Sequence, residues 1–123
     1  MAGESAKSGG ARGEEAACRH LERNGYRILE RNYRGPRYEV DIVAGEGGVL
    51  AFVEVKTRRP GEEESGLLAV GAGKQRRLMR AAEHYLLTHP EARSLPCRFD
   101  VVMVEAAPGG EARVLRLLRD AVR

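Results

Sequence analysis

The chain has 123 residues, of which 42% are hydrophobic and 32% charged, and this length suits one domain with a single modest core. No apolar run approaches the roughly 20 residues of a membrane span, and the two cysteines have neither metal-ligand spacing nor a secretory context, so a cytoplasmic protein with free thiols and no membrane partner is expected. The net charge of +3, with arginine as the dominant cation, weakly favours a polyanionic partner.

The N-terminal half is predicted to contain a disordered tail, one helix and three strands. Residues 1–12 are small, polar and glycine-rich, which is typical of disorder. A helix is expected from near Gly13 to Asn24-Gly25, a pair suited to a left-handed cap. Its inward face is predicted to carry Glu14, Ala17, Cys18 and Leu21. Hydrophobic patterns predict strands over YRILERNYR, YEVDIVA and VLAFVEVKTR, the last two joined by the turn GEGG.

The C-terminal half is predicted to add a second helix and one or two strands. RPGEEESG, which includes Glu62–Glu64, is expected to be a polar loop. KQRRLMRAAEHYLLTH has helical periodicity, and RFDVVMVE has the pattern of a fourth strand in which Asp100 pairs with Arg98 or with backbone. In ARVLRLLRDAVR we expect a short strand and then a brief turn of helix. This order predicts one α/β domain over residues 13–123, with a mixed central sheet of four or five strands flanked by helices.

The hairpin of the second and third strands carries the candidate site. Asp41 lies on one strand, and Glu54 and Lys56 alternate on the next. If the turn is symmetric about the pair Gly47-Gly48, the two carboxylates face each other with Cβ atoms about 5 Å apart. A turn centred half a residue away would point them to opposite faces. In the first register, the other face consists of Val40, Ile42, Val53 and Val55.

Such a pair of carboxylates favours a divalent cation. Two carboxylates this close repel each other, and one would be protonated at neutral pH without a cation. Mg²⁺ takes oxygen ligands, often one or two carboxylates with waters and substrate phosphates. Lys56 beside the pair could orient a water or hold a phosphate in the transition state. The pattern indicates metal-assisted attack of water on a phosphodiester, with Mg²⁺ or Mn²⁺ as the cofactor.

Five sequence blocks carry a resemblance to a known family. They are GEEAACRHLERNGYRILERNYR, YEVDIVA, FVEVKTR, KQRRLMRAAEHYL and RFDVVMV, across about residues 13–122. Together they resemble the YraN-like family of predicted bacterial nucleases. That family lies in the PD-(D/E)xK superfamily, with restriction endonucleases and archaeal Holliday-junction resolvases. The resemblance implies a restriction-endonuclease-like fold.

The resemblance also implies roles for individual residues. Asp41 and Glu54 correspond to the metal-binding carboxylates of the superfamily, and Lys56 to the lysine that assists catalysis. Glu14 matches an acidic residue of the first helix that completes the metal site in the resolvase branch. The implied metal ligands are therefore Asp41, Glu54 and Glu14.

Other residues are predicted to support this site or to contact nucleic acid. Glu39, a further candidate catalytic residue, matches the Glu of a Gly-Glu-Ile-Asp block, in which Tyr38 replaces the Gly. This replacement would narrow the approach to the site. Lys74 and Gln75 open the second helix, where backbone N–H groups favour phosphates. Candidate phosphate-binding arginines are Arg58, Arg76 and Arg77.

Simpler interpretations of these residues remain open. Asp41 and Glu54 could be ordinary carboxylates paired with arginines on a solvated sheet face. Glu39 could do no more than form a salt bridge, and Glu14 could be a partner of the helix dipole. The leading hypothesis is an endonuclease that acts on structured or branched DNA, with a homodimer expected because resolvases make two cuts. The alternatives are a nucleic-acid-binding domain without catalysis and a structural or protein-interaction domain.

Overall fold

The computed structural model describes residues 2–61 and 72–121, with side chains for residues 11–61, 73 and 75–121. The described elements are α1 (Ala2–Arg23), β1 (Arg27–Arg34), β2 (Glu39–Glu46), β3 (Val49–Arg58), α2 (Ala72–Thr88), a short 3-10 turn (Pro90–Ala92), β4 (Cys97–Ala106) and β5 (Ala112–Leu118). The strands form one sheet in the order β1-β2-β3-β4-β5. Neighbouring strands are antiparallel except β3 and β4, which pair in parallel across the α2 crossover. The predicted α/β, restriction-endonuclease-like architecture with a mixed sheet is confirmed.

One helix packs on each face of the sheet. The first buried cluster joins α1 to the sheet through Ala17, Cys18, Leu21, Ile42, Ala44, Ala51 and Val53. The second joins α2 to the opposite face through Leu78, Ala81, Ala82, Tyr85, Val40, Val43, Leu50 and Phe52. Because both faces are covered, β3 is buried continuously from Leu50 to Val53. None of the described helices is long and apolar enough to span a membrane.

The first helix begins earlier than its predicted start near Gly13. α1 runs from Ala2 to Arg23, so residues 2–12, predicted to be disordered, are helical. Glycine in a helix costs about 1 kcal/mol relative to alanine, but it keeps its backbone N–H and does not break the hydrogen-bond ladder. Gly9 and Gly10 therefore lie inside the helix rather than before it.

The C-terminal segment forms the predicted strand, but no helix follows it within the described residues. The backbone N–H of Asp120 donates to Asp100 Oδ1 at 2.9 Å. The N–H of Ala121 donates to the Phe99 carbonyl at 2.7 Å. These long-range bonds hold the chain against β4, so the predicted turn of helix is wrong as far as Ala121.

The hairpin between β2 and β3 has the predicted register. Paired residues run from Ile42 with Val53 to the turn. Gly47 and Gly48 have φ angles of +56° and +83°, the left-handed conformation that both central residues of a tight type I′ hairpin turn require. Continued by one residue, this register places the carboxylates of the two strands side by side.

β2 changes face at Asp41. Val40 is buried on the α2 side, whereas Ile42 is buried on the α1 side, although strict alternation would put both on one face. On β1, Asn32 lies between the partners of these two residues and has a φ of +53°. The prediction that Val40 packs with Ile42 is therefore wrong, because a local irregularity, of the kind that re-aims side chains near functional sites, separates them.

Candidate functional site

Asp41 is bound to the backbone of β3 at the centre of the candidate site. Its Oδ2 accepts a hydrogen bond from the N–H of Val55 at 2.7 Å, and Val55 is the residue between Glu54 and Lys56. The bond lies just beyond the last paired residues of β2 and β3, so the carboxylate partners a backbone group there. The three predicted catalytic residues of the hairpin are thereby brought together.

The two hairpin carboxylates interact electrostatically. Burial, followed by the neighbouring charge of Glu54, raises the pKa of Asp41 from 3.8 to about 7, against the opposing effect of the Val55 hydrogen bond. Such a pair of carboxylates cannot both ionise easily when no cation is bound. The pKa of Asp41 is therefore raised towards neutral pH by its surroundings, and perturbed carboxyl groups of this kind cluster at functional sites.

Glu14 is brought to this site by close packing of α1 on β3. A Cβ atom at Gly13 would lie 2.9 Å from Thr57 Oγ1, so a side chain there would push the helix away from the strand. Glu14, the next residue, is half-buried, and its charge also raises the pKa of Asp41. Glu14 therefore lies near the hairpin carboxylates, and its role in the site stays a prediction.

Glu39 lies at the edge of the site. Its side chain is 44% exposed and its Oε2 is 4.0 Å from Arg34 Nε. Its charge makes the smallest of the contributions that raise the pKa of Asp41. The contact with the exposed Arg34 agrees with the simpler interpretation of Glu39 as a salt-bridge residue. Glu39 also lies near enough to Asp41 to interact with it electrostatically.

Lys56 supplies the positive charge next to the carboxylates. It is half-buried and shares its side of β3 with Glu54 by strand alternation. It forms no salt bridge within the part of the chain that the structure describes.

The described carboxylates form a pair rather than a closed metal centre. Among residues 11–61, 73 and 75–121, no group of three or more His, Cys, Asp or Glu side chains is placed to hold a metal ion. The three predicted ligands Asp41, Glu54 and Glu14 are thus not gathered into a complete site. A pair is what suits Mg²⁺, which usually keeps several waters and takes one or two carboxylates together with substrate phosphates. The donor set therefore fits the predicted ion.

The residues predicted to contact nucleic acid have different environments. Arg76 and Arg77 are exposed on α2, and Gln75 is half-buried. Arg58 Nη2 donates to Glu105 Oε2 at 3.3 Å, and both side chains are largely buried, so Arg58 is held within the sheet. The side chain of Lys74 and the acidic loop Glu62–Glu64 lie outside the described residues.

A pocket next to the site contains arginines that sequence reasoning missed. It lies at the turn between β1 and β2, has a volume of about 320 Å³ and is lined by Arg34, Gly35, Pro36, Arg37, Tyr38 and Glu39. We call it the hairpin pocket. The run RGPRY carries two arginines and an aromatic ring around a turn, and this composition was the available signal. A second pocket of about 410 Å³ lies between α1 and β5 and contains none of the predicted site residues.

Comparison with known proteins identifies related chains. Residues 13–104, which include all the candidate site residues, match the family described as uncharacterised protein family UPF0102. A UPF0102 protein of Symbiobacterium thermophilum is 49% identical over 118 residues, covering 91% of this chain and 93% of the relative. One from Synechococcus sp. (strain JA-3-3Ab) is 48% identical over 103 residues, covering 83% and 79%. One from Magnetococcus marinus is 40% identical over 111 residues, covering 89% and 90%.

Proposed function

This chain belongs to the uncharacterised protein family UPF0102, and we propose that it is a metal-dependent endonuclease that hydrolyses phosphodiester bonds in structured or branched DNA. The observation that carries the proposal is the contact of Asp41 with the Val55 N–H. This contact puts one carboxylate against the strand that bears Glu54 and Lys56. Two acidic groups can hold a divalent ion that activates water and phosphate, and an ammonium group beside them can stabilise the charge that builds up on the phosphate.

Each residue has a role that follows from its chemistry. Asp41 and Glu54 would hold Mg²⁺ or Mn²⁺, which when bound supplies Lewis-acid activation of water and phosphate. Lys56 would donate hydrogen bonds to the phosphate oxygens where negative charge builds up. Glu14, which follows the close contact of Gly13 with β3, adds negative charge near Asp41 that would attract a divalent cation.

The remaining surroundings suit DNA. Arg76 and Arg77 are exposed on α2 and would contact phosphates without reading sequence. The described part of one chain carries one such site, so we propose that two copies act together where both strands are cut. The two cysteines are free thiols, and we place the protein in the cytoplasm, where thiols stay reduced.

A thermal melt with Mn²⁺ tests metal binding at the proposed site. Saturating Mn²⁺ is expected to raise the melting temperature of the wild type by roughly 5–10 °C, because an ion that binds only the folded state stabilises it. Asp41→Ala and Glu54→Gln should abolish this rise, whereas Arg23→Ala, an exposed change on α1, should keep it. An equal rise in the wild type and in Asp41→Ala would place the ion elsewhere.

A cleavage panel tests the activity itself. Branched, flapped, single-stranded and linear duplex DNA would be incubated with Mg²⁺, Mn²⁺ or EDTA. We expect metal-dependent cleavage that Lys56→Ala lowers by about 10²-fold or more and that Asp41→Asn removes. If the wild type binds DNA in a salt-dependent way but Asp41→Asn and wild type are equally inert with every metal, the protein is a binding domain without catalysis.

A further inference from the structure

The hairpin pocket brings positive charge and an aromatic ring together beside Glu39. Arg34 and Arg37 line it together with Tyr38. Arg80 of α2 stands beside them, because its Nη1 donates to the Tyr38 hydroxyl at 3.3 Å. Two guanidinium groups therefore line a space in which Glu39, whose Oε2 is 4.0 Å from Arg34 Nε, is the one carboxylate, and Arg80 adds a third positive charge next to the Tyr38 hydroxyl. The charge balance favours an anionic ligand.

The pocket is formed by the turn between β1 and β2, whose conformation is held by a backbone hydrogen bond and by packing on α2. The N–H of Gly35 donates to the Tyr38 carbonyl at 2.7 Å, which closes the turn between β1 and β2. The turn rests on α2, because the Cα of Gly35 is so close to His84 that an added Cβ would be in van der Waals contact with its ring. Tyr38 itself packs against the buried cluster beneath α2. A preformed surface of this kind loses little conformational entropy when a ligand binds.

The pocket adjoins the carboxylate pair. Glu39 lines it and lies two positions before Asp41 on β2. A ligand in the pocket would therefore lie near a phosphodiester bound at Asp41 and Glu54.

We propose that the hairpin pocket binds one unpaired nucleotide next to the scissile phosphodiester, with the base on Tyr38 and its phosphate held by Arg34 and Arg37. The position of the cut relative to this nucleotide rests on the proposed nuclease function. The volume of about 320 Å³ is at the small end of the range for ligand sites and suits a single nucleotide. Aromatic rings accept any base by stacking, and arginine forks match phosphate oxygens.

The proposal selects a class of DNA. A paired base must leave its duplex before it can enter a pocket, and this costs a few kcal/mol, whereas an unpaired base enters without that cost. The preferred substrates are then single strands, flaps, bulges and branch points with an unpaired nucleotide beside the cut. Continuous duplex is disfavoured.

Binding measured in EDTA tests the pocket without requiring hydrolysis. The probe is a fluorescently labelled single-stranded DNA and the same sequence as a duplex, at low salt. Tyr38→Ala is expected to weaken single-strand binding by about tenfold, the size of one lost base–aromatic stack, and to leave duplex binding within about twofold. Tyr38→Phe, which keeps the ring, should retain most of the single-strand affinity. Arg23→Ala should change both affinities by the same small factor.

A scan with one abasic nucleotide at successive positions separates stacking from general attraction. In the wild type, one position should weaken binding by about the same tenfold, and in Tyr38→Ala that position should have no further effect, because the two changes remove the same contact. Equal losses for single strand and duplex in Tyr38→Ala, or no position dependence in the scan, would overturn the proposal. Arg37→Ala, on the exposed turn, serves as a second variant if Tyr38→Ala does not fold.

The two proposals fail differently. Loss of cleavage in Asp41→Asn with unchanged strand preference in Tyr38→Ala would remove the nucleotide pocket and leave the nuclease. Strand preference that depends on Tyr38, in a protein that never cleaves DNA, would leave the pocket and remove the nuclease.

Discussion

At the residue scale, Asp41 is held in an environment that opposes its own charge. Its carboxyl group is largely buried, faces Glu54, and lies near Glu14 and Glu39, so its pKa is raised to about 7. The hydrogen bond from the Val55 N–H offsets part of this rise in pKa. Proteins keep such unfavourable groups where function needs them, at a cost in stability. The carboxylate pair is therefore expected to destabilise the fold while it prepares the site.

Asp41→Asn should stabilise the metal-free protein at alkaline pH. Between the unfolded pKa of 3.8 and the folded pKa of about 7, the folded state holds a proton that the unfolded state has released, so wild-type stability falls as pH rises through this window and stays low above it. Asparagine carries no charge and so avoids this loss of stability, and its side-chain oxygen still accepts a hydrogen bond from the Val55 N–H. We expect a gain of about 1–2 kcal/mol at pH 8 that shrinks towards pH 4.

Urea unfolding in EDTA at pH 5 and pH 8 measures this effect. Glu111→Gln is the matched control, because its side chain is exposed and surface changes usually stay within about 0.5 kcal/mol. A variant no more stable than the wild type at pH 8 would show that Asp41 is not under electrostatic strain.

At the element scale, the hairpin of β2 and β3 sets the geometry of the site. Its two-glycine turn fixes which residues lie opposite each other, and a shift of one residue would send the carboxylates to opposite faces. The irregularity at Asp41 then turns the end of β2 so that the carboxyl group contacts β3. Turn chemistry and strand irregularity together determine where the acidic groups meet.

Alanine at two glycines should have opposite effects on stability. Gly48→Ala is expected to lower the free energy of unfolding by about 1–2 kcal/mol, because its φ of +83° is strained for any residue with a Cβ atom. Gly73→Ala in α2, where an added Cβ meets nothing within 4 Å among the described residues, is expected to raise it by about 0.5–1 kcal/mol. Chemical denaturation of both variants compares the two; equal changes would mean that the turn does not require a left-handed residue.

At the scale of the whole molecule, a polar network centred on the buried Asp100 ties the segments before β1 and after β5 to the sheet. Asp100, only 1% exposed, accepts hydrogen bonds from the Tyr26 hydroxyl and from Arg98 Nε. Arg98 also contacts Glu46, and Glu46 binds the guanidinium group of Arg119 at 2.6 and 2.8 Å. The predicted pairing of Asp100 with Arg98 is confirmed. The network connects the start of β1, the hairpin end of β2, and the segment after β5.

This network should make the protein sensitive to acid. Its two arginines lower the pKa of Glu46 to about 2, so the folded state keeps Glu46 ionised where the unfolded state has begun to bind a proton. The stabilisation is present above the unfolded value of 4.5 and is lost as pH falls from there towards 2. Glu46→Gln should lower the free energy of unfolding by about 1 kcal/mol at pH 7. It should also make the loss of stability on acidification smaller than in the wild type.

Urea unfolding at pH 7 and pH 3 measures that difference, with the exposed Glu111→Gln as a control. If Glu46→Gln loses as much stability between these pH values as the wild type does, the acid sensitivity arises elsewhere in the molecule.

The amino-acid sequence by itself determined the strand and helix order, the register of the site hairpin and the chemistry of Asp41, Glu54 and Lys56. These features are encoded locally, by side-chain alternation, by two adjacent glycines and by the spacing of charges along neighbouring strands. Contacts between residues far apart in the chain decided the rest. Four features depend on which surfaces meet after the sheet forms. They are the change of face at Asp41, the hydrogen bond of Arg58 to Glu105, the hairpin pocket, and the hydrogen bonds that take the place of a C-terminal helix. No local sequence pattern predicts these contacts, because the partners lie in separate segments and meet only when the core is packed.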